Sequence, residues 1–117
     1  MIWIARILTL VVAIEHLYIL ILEMFLWRTE RARKAFGTTP AFAQETSVMA
    51  ANQGLYNGFL AAGLVFSLIM GSLPFLGFFL ACVVVAGLYG GFTVKPSIYL
   101  VQAAPATLAL IATLISS

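Results

Sequence analysis

The sequence predicts an all-α protein, a polytopic membrane protein built as a four-transmembrane-helix antiparallel bundle, and three observations predict it. The chain has 117 residues, 63% of them hydrophobic and only 9% charged, with a mean hydropathy of +1.10. A soluble domain of this size needs a charged surface that such a composition cannot supply. Half of the charges, Arg28, Glu30, Arg31, Arg33 and Lys34, fall in one short stretch. The remaining apolar runs reach the roughly 20 residues that cross hydrocarbon as a helix. They are continuous and do not alternate, which speaks against a β-barrel.

Four spans follow in order, at about 2–27, 48–71, 74–92 and 98–116, in a single membrane domain covering 1–117. The first is too long for a signal-peptide core and carries no small-residue cleavage site, so it is expected to be retained. After it comes the loop 28–46, strongly basic in its first half. Within that loop Thr39 and Pro40 read as an N-cap and first helical residue. The second helix is therefore expected to rise from Pro40, with Glu45 near its positive end. "MGSLPFLG" (70–77) is a tight turn, in which Gly71 and Ser72 close one helix and Pro74 opens the next. "TVKPS" (93–97) is a second short turn. Neither an internal repeat nor a domain boundary is visible.

The charges give an orientation. Loop 28–46 and turn 93–97 share one side and hold Arg28, Arg31, Arg33, Lys34 and Lys95, whereas the other side has only Arg6, placed to snorkel. The positive-inside rule then puts both loops in the cytoplasm and both termini outside the cell inner or plasma membrane. A net charge of +2 arising this way marks a membrane flank and no nucleic-acid partner. Cys82 is alone and makes no internal disulfide.

Against this background Glu15, His16 and Glu23 are out of place. An ionisable group in a span costs about 2.5–3.5 kcal/mol on insertion scales and normally faces protein or water. At 100° per residue His16, Glu23 and Trp27 fall within about 40° of one another, while Glu15 lies about 100° away. The second helix carries "ANQGLYNGF", residues 51–59. Matching depth from the cytoplasmic side predicts Glu23 beside Asn52, Gln53 and Tyr56, and His16 beside Asn57. Asparagine and glutamine in spans often serve only to join helices. The pairs Gly54/Gly58 and Gly87/Gly91 offer close-packing faces, and a homo-oligomer is expected to use such faces.

Desolvation disfavours the charged form of a carboxyl and of an imidazole alike, so Glu15, His16 and Glu23 are candidate acid/base groups. Trp27, Asn52, Gln53, Tyr56 and Asn57 are candidate ligand-binding residues. One histidine without a second soft ligand makes a poor transition-metal site, and the sequence names no cofactor. Three functions compete. The leading one is a membrane-embedded site, open towards the cytoplasm, for a small lipophilic ligand on which acid/base chemistry could act. A small transporter or proton-coupled carrier is the alternative, and a structural or assembly protein is the third. Membrane lipids are expected partners in each case.

The combination E-H-x-Y-I-x-x-L-E-M-F-x-W at 15–27, "RARKAFG" at 31–37 and N-Q-G-x-Y-N-G-F-L-A at 52–61 resembles the domain of unknown function 1304 family, DUF1304, over nearly the whole chain. The resemblance implies a small four-helix integral membrane protein with these polar residues as its hallmark. It brings no activity.

Overall fold

The computed structural model describes residues 1–117. Its helices are α1 (Ile2–Met24), α2 (Glu30–Phe36), α3 (Pro40–Glu45), α4 (Ser47–Met70), α5 (Leu73–Thr93) and α6 (Ala104–Ser116), with a π-helical segment, Tyr99–Ala103, leading into α6. No strand is present. Four stretches are long and apolar enough to cross a membrane: α1, α4, α5, and Tyr99–Ser116 taken together. The expected all-α membrane fold is what the structure shows.

The chain divides into two compact units. One comprises Met1–Ile14 and Leu60–Ser117. Its core is Val12 and Ala13 from α1, Leu64 from α4, Leu76, Leu80 and Val83 from α5, and Ala106 and Ala109 from α6. Antiparallel neighbours are set by close contacts. Phe66 of α4 stacks on Phe75 of α5, with centroids 6.3 Å apart. A Cβ built on Gly87 of α5 would lie 2.8 Å from the Ala103 backbone nitrogen, so only glycine lets these backbones approach. The turn between α4 and α5 relies on Gly71 at φ +64° and on the Ser72 hydroxyl, which accepts from the Phe75 N–H at 3.2 Å.

Pro105 shapes the entry to α6. It has no N–H to donate into the preceding turn and its ring crowds that turn's carbonyls. The turn widens, and the Ala104 N–H reaches the Tyr99 carbonyl in a π-type bond.

The other unit is Glu15–Phe59. Here the last turns of α1 meet the first turns of α4, antiparallel, with Gly54 against Glu23 and Gly58 against Leu20. Helix α1 ends at Met24, where the Leu26 N–H turns back to the Ile21 carbonyl at 3.1 Å. Helix α2 is capped by Thr29 and closed by Gly37 at φ +70°. Helix α3 starts on the expected Thr39 cap and Pro40. It does not continue into α4, because the chain breaks at Thr46 (φ −103°, ψ 7°) before α4 begins. Glu45 therefore ends α3 and lies outside α4.

The glycine faces expected to join copies of the chain are already occupied. Gly54 and Gly58 receive α1, Gly87 receives Ala103, and Gly91 receives the Tyr99 ring.

Candidate functional site

A membrane protein must satisfy buried polar groups internally. Thr9, Ser67 and Thr113 do so within their own helices, each donating to the carbonyl four residues back, at 2.7, 2.7 and 2.8 Å. Glu23 is different. It is 3% exposed, and its bond comes from another helix: Asn57 Nδ2 donates to Glu23 Oε1 at 2.6 Å. This polar pair sits one turn from Gly54, whose missing side chain admits the Glu23 Cβ. Close approach of the helices and the hydrogen bond between them are thus one feature.

Glu23 also lines a cleft of about 360 Å³, with Met24, Phe25, Trp27, Arg28, Thr29 and Ser47. The cleft opens where α1 ends and the chain turns into α2. Its walls are held from behind. The Trp27 indole N–H donates to Thr46 Oγ1 at 3.1 Å, and its ring lies 4.9 Å from that of Phe36. Thr46 in turn donates to the Phe42 carbonyl at 2.7 Å. Thr29 donates to the Leu26 carbonyl at 2.6 Å, and Ser47 to the Gln44 carbonyl at 3.2 Å. The hydroxyls are therefore engaged in fixing the turns. Two polar groups remain for a ligand. One is the Glu23 carboxyl, whose single bond is to Asn57; the other is the exposed Arg28 guanidinium, which contacts no acid or acceptor of the chain.

The residues expected at the site divide. Glu23 and Trp27 line the cleft, and Asn57 holds Glu23. Trp27 arrives by a different route from the one expected, because α1 has ended and the following turn carries it there. Asn52, Gln53 and Tyr56 are exposed and do not approach Glu23. Asn52 donates to the Val48 carbonyl of its own helix at 2.9 Å, and Tyr56 packs edge-on to Phe59. The reason is helical phase. Asn52 and Tyr56 lie about 160–200° round α4 from Gly54, whereas Asn57 lies about 60° from it. Asn57 thus meets Glu23 and not, as expected, His16.

His16 is 1% exposed and shares the buried stripe of α1 with Ala5, Thr9, Val12 and Glu23. It does not line the cleft and stands about 10 Å from Glu23 along the helix axis at 1.5 Å per residue. Glu15 is half-buried and makes no hydrogen bond or ion pair within the chain. Met24, Phe25, Arg28, Thr29 and Ser47 are cleft residues that the sequence did not single out. A turn after residue 24 was the signal needed to find them.

A second cavity, about 290 Å³, lies at the start of α1 against the α4–α5 turn, lined by Ile2, Arg6, Ser67, Gly71 and Ser116 among others. It contains no acid, and the buried carboxyl makes the first the stronger candidate.

Residues 10–114 match the family described as protein of unknown function, DUF1304. The chain is similar to the uncharacterized protein YpaA of Lactococcus lactis subsp. lactis, with 34% identity over 109 residues, covering 90% of this chain and 92% of that protein. No solved structure matches it. With the match running almost end to end and four helices long and apolar enough to cross a membrane, the chain belongs to the DUF1304 family of proteins of unknown function.

Proposed function

We propose that this membrane protein binds a small lipophilic ligand in the cleft below the end of α1, with Glu23 as its polar anchor. One observation carries the reading: a carboxyl that is almost fully buried opens onto a cleft with only Asn57 bonded to it. A carboxyl that served only to lock two helices together would be closed off, because an incompletely paired carboxyl in a span is costly. The cleft volume suits a small ligand or the polar end of a larger one.

The same carboxyl is the acid/base group of the site. It can take a proton from, or return one to, a ligand hydroxyl or amine that enters hydrogen-bond reach. Asn57 holds Glu23 Oε1 and so directs the other oxygen's chemistry, while Trp27 forms an apolar wall. His16 and Glu15 lie outside the cleft and have no part in that step. In the orientation given by the basic loop, the cleft faces the cytoplasmic side.

The test is chemical extraction. Wild-type protein purified from native membranes in a mild detergent is expected to carry a lipophilic compound in near-stoichiometric amount. Glu23→Gln and Glu23→Leu proteins with unchanged helicity are expected to lose it. Equal retention by all three, or no retained compound, contradicts the proposal.

A further inference from the structure

Resting on that reading, we propose that the cleft takes the headgroup of a zwitterionic aminophospholipid, its ammonium on Glu23 and its phosphate on Arg28. The cleft offers two uncommitted polar groups of opposite character. Glu23 is deep, 3% exposed, and only accepts once ionised. Arg28 is exposed at the rim; its carbonyl accepts from Arg33 Nε at 3.2 Å, while its guanidinium bonds to no group of the chain and presents the forked donors that suit phosphate oxygens. Thr29 and Ser47 already donate to backbone carbonyls. A ligand that complements this pair has an N–H-bearing cation at its inner end and an anion further out.

Position supplies the second constraint. The cleft lies where helix α1 stops at Met24, with the apolar run ending at Trp27 and Arg28 following, which is the approach to headgroup level in a bilayer. Phe25 on its wall is 71% exposed, an apolar surface beside which acyl chains can remain in hydrocarbon. A volume of about 360 Å³ accommodates a headgroup and not a whole lipid. A purely anionic headgroup would meet Arg28 favourably but would bring like charge to Glu23. A quaternary ammonium would match in charge but has no N–H to donate. No full aromatic box compensates for that loss, because Phe25 and Trp27 are the only aromatic rings lining the cleft.

The experiment uses delipidated full-length protein in detergent, titrated with phosphatidylethanolamine, phosphatidylcholine or phosphatidylglycerol of identical chains, with bound lipid read by native mass spectrometry. Phosphatidylethanolamine should bind about tenfold more tightly than phosphatidylcholine, the scale of one hydrogen bond to a charged group. Arg28→Gln, an exposed position whose change leaves the fold intact, should weaken binding of both zwitterionic lipids by a similar factor. Glu23→Gln should erase the preference between them. Equal binding of phosphatidylethanolamine and phosphatidylcholine, or preference for phosphatidylglycerol, overturns the headgroup assignment. If that binding still depends on Glu23, the ligand cleft itself stands. Loss of any Glu23-dependent lipid binding removes both.

Discussion

Replacing Gly54 by alanine tests how the site is built. A Cβ at this position would lie 3.0 Å from the Glu23 Cβ, 3.3 Å from the Leu20 carbonyl oxygen and 2.6 Å from the Met24 Cγ. Two carbons rest about 3.5–4.0 Å apart, so α4 must retreat from α1 by roughly 0.5–1 Å at Glu23. The Met24 side chain can swing aside, but the Glu23 Cβ and the Leu20 carbonyl cannot. Overpacking of this kind costs about 1–3 kcal/mol, and the better helix propensity of alanine returns about 1 kcal/mol. The net expectation is a loss of about 1 kcal/mol. Gly77 in α5 is the control, since nothing lies within 4 Å of a Cβ built there. Gly77→Ala should therefore stabilise by about 0.5–1 kcal/mol through propensity alone. Reversible unfolding in mixed micelles, titrated with a denaturing detergent, reads both variants. A Gly54→Ala protein as stable as Gly77→Ala would refute the close packing that places Glu23.

Three further outcomes are expected. A double-mutant cycle with Glu23→Leu and Asn57→Leu should give a coupling of about 0.6–1.7 kcal/mol, the range for hydrogen bonds between membrane helices; additive losses would mean that the bond is not formed in the bilayer. Gly87→Ala should destabilise by about 1–2 kcal/mol in the same unfolding assay, because its Cβ would meet the nitrogen and Cα of Ala103 at 2.8 and 2.9 Å, main-chain atoms that cannot rotate away. In a Cys82→Ala background, a membrane-impermeant maleimide should label Ser117→Cys in intact cells and Ala35→Cys only after permeabilisation. The reverse pattern would invert the proposed orientation.

The four spans were legible in the sequence because hydrocarbon imposes a length and an apolarity that composition alone reveals. The Thr39 cap and the helix start at Pro74 were equally legible, since short-range chemistry fixes them; Ser72, read as closing the preceding helix, proves to be the N-cap of α5. Which polar residues meet was harder. Depth along each helix placed Glu23 beside Asn52, Gln53 and Tyr56 and gave Asn57 to His16, because depth carries no angular information. Gly54 held the missing phase: the residue that lets α1 approach marks the face of α4, and Asn57 shares that face while Asn52 and Tyr56 do not. The cleft itself depends on α1 ending at Met24, inside a run that stays apolar to Trp27. Hydropathy cannot show such a stop; the bond from the Leu26 N–H to the Ile21 carbonyl does. The widened turn at Tyr99–Ala103 is likewise invisible to hydropathy, although Pro105 was its visible cause.

The most direct measurement is an experimental structure of the protein taken from native membranes without exhaustive delipidation, at a resolution that distinguishes lipid from water. Non-protein density is expected in the cleft lined by Glu23, Trp27, Arg28 and Ser47, with a polar atom of the bound molecule within hydrogen-bond distance of the Glu23 carboxyl. A cleft closed by its own side chains, with Glu23 bonded to Asn57 and to nothing else, would contradict the proposed site.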